Sequence, residues 1–443
     1  MMESTPISRK IVDQKLNLCE IDDMANATIR DVVRVVNLIE EESGEKFIRM
    51  EMGVPGLQPA KVGIEAEKEA LENGVASAYP MLEGIKPLKN EASKFIKNFM
   101  NVDLKPEGIV PTVGSMQGGY AAFMAIAACN KKKDTILFID PGFPVQKTQL
   151  DVLGQKYLSF DVYNYRGEKL KAKLNEFLAK GNIAGIIYSN PNNPAWICLN
   201  EDELQIIGDL ANKYDAIVIE DLAYFAMDFR SDLSQPGVAP FQPTIANYTN
   251  NYVLMISSSK VFSYAGQRIG LLCISDELYK RRFEDLKIRF GSEEFGYTII
   301  YRIIYALSSG TSHSAQYALH AMIKAANEGS FNFIKDVKEY GERAKIMKQM
   351  FLDNGFELVY DTDVDKPLAD GFYFTISYPG MLGSVLNKEL IYYGISTICL
   401  NETGSLKEGL RACVSQISRD QLPVLEFRLK QFIKHHQLEQ KQE

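Results

Sequence analysis

Cysteine is scarce and unpatterned in this chain of 443 residues. Six occur, at positions 19, 129, 198, 273, 399 and 413, and no two share a C-x-x-C or zinc-ligand spacing. That excludes a dithiol redox motif and gives no sign of a metal site. The expectation is buried thiols in a reducing compartment. Histidine is scarcer still. The four histidines, at 313, 320, 435 and 436, lie outside every motif found below, which argues against a Ser-His-Asp hydrolase. Basic charge is not in excess: 49 Lys and Arg face 57 Asp and Glu, for a net charge of −8. A nucleic-acid binder advertises a basic surface, so no nucleic-acid partner is expected. The apolar stretch Ala121–Cys129 is about half the length a membrane span requires. The opening MMESTPISRK lacks the apolar core of a secretory signal. A cytoplasmic protein with no membrane partner is the expectation. There is no Walker lysine after a Gly-rich loop and no G-x-G-x-x-G fingerprint, so the usual nucleotide readings lack their motif.

What is present is ordinary globular composition, with 46% apolar and 24% charged residues, and length for two or three domains. Asp31–Ser43 reads as an amphipathic helix stopped at Gly44. From about residue 105 to 275, short β-branched runs alternate with helical patterns. The runs are Gly108–Val113, Thr135–Ile139, Ala184–Tyr188, Ala216–Ile219, Tyr252–Ile256 and Gly270–Ile274. The helical patterns between them are Gln117–Asn130, Phe143–Leu153, Leu170–Leu178 and Glu201–Tyr214. This alternation predicts an α/β fold: a large domain with a mainly parallel sheet flanked by helices. From Ala315 on, long helix gives way to short strands and a closing helix, which predicts a smaller α+β C-terminal domain. The expected division is a segment 1–50 packing with the small domain, a large cofactor-binding domain 51–312, and the small domain 313–443.

The polar residues that follow the strands carry the chemistry. Ile109–Val113 runs into Gly114-Ser115-Met116, which opens a helix; Ala184–Tyr188 runs into Ser189-Asn190-Pro191-Asn192-Asn193-Pro194. Ala216–Ile219 ends in Glu220-Asp221, and Tyr252–Ile256 in Ser257-Ser258-Ser259-Lys260. In open α/β sheets, ligands bind outside the carboxyl ends of the strands. A helix N-terminus suits a phosphate, and Arg268, eight residues after Lys260, offers a planar fork for the same group. A phosphate site, a carboxylate and a nucleophilic lysine together suit pyridoxal 5′-phosphate.

With these residues in view, the chain resembles the class I/II aminotransferases of the fold-type I pyridoxal-phosphate enzymes, from about Phe47 to Ser418. Ser257-Ser258-Ser259-Lys260 followed by Gly266-Gln267-Arg268-Ile269-Gly270 resembles the family's S-x-S-K…G-x-R-x-G. The resemblance implies Lys260 as the Schiff-base lysine and Ser257, Ser259 and Arg268 as phosphate ligands. Asp221-Leu222-Ala223-Tyr224 is similar to D-x-A-Y, implying Asp221 at the pyridine nitrogen and Tyr224 at the ring hydroxyl. Asn193-Pro194 matches the start of N-P-T-G and implies Asn193 at that hydroxyl. Gly114, Ser115 and Met116 match the phosphate-cradling turn. Phe143, in DPGF, matches the ring that stacks on the cofactor. Tyr79 matches a tyrosine that reaches the partner subunit's phosphate. Arg411, in EGLRACVS, matches the arginine that grips the substrate α-carboxylate. Gly53 matches the glycine at the substrate entrance.

Two segments depart from the family pattern. Ala195-Trp196 replaces Thr-Gly after Asn193-Pro194, and Leu400-Asn401-Glu402-Thr403-Gly404 replaces P-G-x-x-F. A familiar substrate therefore does not follow. A dicarboxylate would need a second arginine, for which Arg289 and Arg302 are the candidates, with Glu293 and Glu294 placed to neutralise them. The resemblance implies an aminotransferase acting by a ping-pong cycle between an amino acid and a 2-oxo acid, in a homodimer with shared active sites. A pyridoxal-phosphate-dependent lyase, decarboxylase or racemase stays open as the alternative, because the same Lys-Asp-Arg set serves all of them.

Overall fold

The computed structural model describes residues 5–440, with side chains to 436. The chain divides into two compact units. The larger comprises Leu57–Asn192 and Ile197–Val337; the smaller comprises the chain up to Gly56, the insert Asn193–Trp196, and the chain from Lys338 onward.

A seven-stranded sheet organises the larger unit. Its strands are β1 (Ile109–Val113), β2 (Thr135–Asp140), β3 (Lys156–Asp161), β4 (Ile183–Ser189), β5 (Ile217–Leu222), β6 (Tyr252–Ser257) and β7 (Ile269–Ile274). They lie in the order β1-β7-β6-β5-β4-β2-β3. Only β7 runs against its neighbours; every other pairing is parallel. The strands β2, β5, β6 and β7 are buried along their whole length, as strands covered on both faces must be, and this is why they read as apolar runs. β3 is the strand that the apolar pattern missed. It is the edge strand, exposed from Lys156 to Ser159, so KYLSFD needs no continuous apolar run, and its pairing with β2 makes it a strand.

The helix Gly114–Ile126 begins three residues before its apolar periodicity indicates. The Gln117 side chain accepts from the Val113 N–H at 2.9 Å, supporting the strand-to-helix turn. Further along, Ala121, Phe123 and Ile126 join Val110, Ile219 and Leu272 in one buried cluster. The helices Lys61–Glu72 and Lys86–Met100 both pack on His313–Asn327, which buries Ala315, Ala318, Leu319 and Met322. That packing holds residues 313–337 in the larger unit, correcting the boundary at 313 that the sequence suggested. A change from strands to long helices marks a change of pattern there, not of domain.

The smaller unit holds an antiparallel sheet of β8 (Glu357–Leu358), β9 (Tyr373–Ser377), β10 (Ile398–Cys399) and β11 (Leu410–Cys413), in the order β10-β11-β9-β8. Helix Ile29–Ser43 starts on a capping box of Thr28 and Asp31 and stops at Gly44. Ile48–Arg49 pairs in parallel with Ile395–Ser396, joining the N-terminal segment to this unit. Among the described residues, no helix is long and apolar enough to cross a membrane.

Candidate active site

Because β1, β4, β5 and β6 share one direction, their carboxyl ends meet at one edge of the sheet. Register fixes the neighbours there. Ser189 lies opposite Asp221, and Gly270 lies between Thr112 and Ser257. The segment after β1, the segment after β6 and the entry into β7 are thereby brought together. Gly114 adopts φ +63°, and a Cβ there would come 2.6 Å from an Arg268 guanidinium nitrogen. A bare, left-handed residue is what lets that guanidinium lie over the start of the helix. A Cβ on Gly270 would stand 3.2 Å from the Ser115 nitrogen, so the two loops touch. The Ser259 N–H donates to Ser257 Oγ at 3.1 Å, and Ser258 Oγ donates to the Ile269 carbonyl at 2.6 Å. The Met116 carbonyl accepts from Gln149 Nε2 at 2.8 Å. Among the described residues, Ser115 Oγ is buried without a hydrogen-bond partner. A helix N-terminus, serine hydroxyls and a guanidinium thus converge, a donor set for an anion.

Asp221 sits at the end of β5, 5% exposed. Its carboxylate accepts from Gln146 Nε2 at 2.8 Å and from the Ala223 N–H at 3.0 Å. Burial pushes the carboxyl up to about 6, opposed by those two hydrogen bonds and by the positive charge of Lys260. Lys260 is therefore close enough for its charge to act on Asp221. Gln146 was not anticipated from the sequence. It lies in the first turn of helix Pro144–Leu153, which carries it back toward β5, and nothing in its local sequence sets it apart. Tyr224 is buried just past β5. Phe143, immediately before helix Pro144–Leu153, is half-buried and stands outside the core. Glu220 faces the opposite side of the sheet from Asp221. It accepts from Tyr188, Thr244 and the Ile245 N–H, and burial pushes it up to about 7.

A second group forms within the smaller unit. Arg411, on β11, is 1% exposed. Its Nη1 donates to Asn193 Oδ1 at 3.2 Å, its Nη2 donates to the Glu51 carbonyl, and its Nε is buried without a partner among the described residues. Its guanidinium carbon lies 4.6 Å from the centroid of the Tyr373 ring. A Cβ on Gly53 would meet the Tyr373 hydroxyl at 1.9 Å, so position 53 admits only glycine beside that ring. The smaller unit thus brings Gly53, Asn193 and Arg411 together. Tyr79, in the larger unit, is 91% exposed. Arg289 and Arg302 are also exposed, over the rings of Phe290 and Tyr297. The carboxylates near them pair elsewhere: Glu293 with Arg282 and Lys287, Glu294 with Arg282.

The family "Aminotransferase class I and II" matches residues 45–425. The chain belongs to the class I and II aminotransferases. A similar relative is a "Probable aspartate aminotransferase" of Methanocaldococcus jannaschii, 24% identical over 328 residues, covering 68% of this chain and 82% of the relative. Among solved structures, an alanine aminotransferase of Pyrococcus furiosus aligns with TM-score 0.74 at 18% identity, covering 93% of this chain and 98% of the other. An aspartate aminotransferase of Thermotoga maritima aligns with TM-score 0.73 at 19% identity, covering 97% and 100%. These likenesses at low identity show the shared fold. This aminotransferase is a transferase that works with pyridoxal phosphate, and the residues present fit that group. The Ser115 hydroxyl, buried and unpartnered among the described residues, and the Arg268 guanidinium, which lies over the neighbouring Gly114, suit a phosphate. The buried Asp221 carboxylate suits a protonated ring nitrogen, and a lysine amine within its electrostatic reach suits an aldehyde.

Proposed function

We propose that Lys260, Asp221 and Arg411 carry a ping-pong transamination between an amino acid and a 2-oxo acid. The single observation that carries the reading is Arg411: a guanidinium buried to 1% exposure, with Nε unpartnered and, among the described residues, no carboxylate paired with it. A buried cation costs free energy unless an anion completes it, and the α-carboxylate of either substrate is such an anion. In this reading Gly114, Ser115, Met116, Ser257, Ser259 and Arg268 hold the cofactor phosphate. Asp221 holds the ring nitrogen, Tyr224 and Asn193 the ring hydroxyl, and Phe143 packs on the ring. Bound pyridoxal phosphate supplies a carbonyl for the amino group and a ring that accepts the electron pair released at Cα. Lys260 Nζ would move a proton from the substrate Cα to the cofactor's C4′ carbon in one half-reaction and from C4′ to Cα in the other. Arg411 holds the substrate α-carboxylate, with Gly53 beside it. The exposed, separately paired surroundings of Arg289 and Arg302 give no support to a dicarboxylate requirement.

The test is the visible spectrum of the purified protein with a panel of amino acids. A cofactor band that an amino acid bleaches and a 2-oxo acid restores is the expected result. Repeated turnover that needs no 2-oxo acid would move the assignment to a lyase, decarboxylase or racemase, and no band after adding pyridoxal phosphate would end it. We also propose a homodimer in which Tyr79 contributes to the partner's site; exposure of 91% at Tyr79 and 64% at Met81 supports such a contact. Light scattering that finds an active monomer would remove that part. A cytoplasmic location is proposed because the six cysteines are all thiols, the state a reducing compartment maintains.

A further inference from the structure

Three observations in the smaller unit concern the face of Arg411, not its hydrogen bonds. The Tyr373 ring lies 4.6 Å from the Arg411 guanidinium carbon. Trp196 meets Tyr373 edge-on, with ring centroids 6.2 Å apart and planes at 63°. Trp196 itself is held tightly: it is 1% exposed, has φ +64°, and lies where a Cβ on Gly371 would meet its ring at 1.9 Å. A bulky residue with positive φ is strained and persists only where packing over-determines it. Trp196 stands at the position where the family pattern has glycine, so it is a feature of this chain and not of the general motif.

We propose that Tyr373, braced by Trp196, is a positioning residue for Arg411: its ring covers one face of the guanidinium and directs an incoming α-carboxylate to the in-plane edge that carries Nε. The proposal rests on the reading of Arg411 as the carboxylate receptor. A planar fork recognises a carboxylate through two parallel N–H donors only while its plane is fixed. Asn193 and the Glu51 carbonyl restrain the terminal nitrogens but leave the tilt of the plane unset. The aromatic face sets it, and by attracting the cation it also offsets part of the cost of burying Arg411 before substrate arrives. Gly53 and Gly371 are bare where the two rings need the space.

The chain has one tryptophan, so its emission reports on this column alone. The experiment measures amino-acid KM and kcat of the cofactor-loaded protein, and titrates Trp196 emission with propionate, a carboxylate that has no amino group to transfer. Tyr373→Leu is expected to raise both the KM and the propionate Kd by about tenfold, with kcat changed less than about twofold. Tyr373→Phe keeps the ring and is expected to stay within about twofold of the parent in both. Tyr373→Met serves if the Leu variant does not fold, with the same expectation. Arg411→Leu separates the two readings. If it weakens both constants and the Tyr373 variants weaken neither, the positioning role is overturned and Arg411 stands. If it too leaves both unchanged, the carboxylate assignment itself fails. Emission unmoved by propionate in the parent protein overturns the part given to Trp196.

Discussion

Replacing Lys260 by Ala is expected to lower amino-group transfer by at least about 10⁴-fold, because in the proposed mechanism one side chain performs two tasks. A positioned general base contributes about 10²- to 10⁴-fold by itself, and the same amine is the group placed to join the cofactor's aldehyde carbon. The fold has little reason to respond. Lys260 follows β6 outside the sheet and is partly exposed, and the bonds that tie its loop run through Ser257, Ser258 and Ser259. Circular dichroism should therefore match the parent. A second consequence has a definite sign. Lys260's charge lowers the Asp221 carboxyl, so its loss should push that carboxyl further up. Adding a small primary amine should recover part of the lost rate, since it supplies a base without the tether. A variant that keeps more than about 1% of parental activity would place the base elsewhere.

The parts of this enzyme that could be read in advance are those where chemistry and chain order coincide. Gly114–Met116 and Ser258–Lys260 follow their strands directly, and Asp221 and Ser257 lie at the ends of theirs, so locating the strand locates the residue. Parallel direction then gathers strand ends that are far apart in sequence. The parts that could not be read depend on side-chain reach across the fold. Gln146 touches Asp221 only because helix Pro144–Leu153 returns toward β5. Tyr373 lies under Arg411 because β9 and β11 pair with Thr375 opposite Arg411, a register no local pattern encodes. The insert Asn193–Trp196 groups with residues hundreds of positions away, although its sequence is continuous with the loop after β4. β3 was missed for the opposite reason: an exposed edge strand has no need of the apolar signature that reveals its neighbours.

Asp221 gives the second large effect, and it can be tested with the cofactor present and without it. With the cofactor, Asp221→Asn is expected to weaken binding by about 10- to 100-fold, the worth of one buried charge-assisted hydrogen bond. The same change should lower turnover by at least about a hundredfold, since a neutral amide holds the ring nitrogen's proton poorly. Without the cofactor, the sign of the pH dependence is set by burial. The Asp221 carboxyl is raised to about 6 from its ordinary 3.8. The folded chain thus binds this proton more tightly than the unfolded chain, and the associated stability is complete below about pH 4 and lost as pH rises through 6. The loss is on the order of 3 kcal/mol. Asn carries no such titration, so the variant's melting temperature should gain on the parent's between pH 4 and pH 7. Glu220, raised to about 7, adds a loss of the same sign to both proteins and cancels in the difference. A gap that stays constant with pH would mean that Asp221 is ionised in the folded chain at no cost. Its burial would then be offset in full by the charge of Lys260, and Lys260 would be better described as its ion-pair partner than as a base held in reserve.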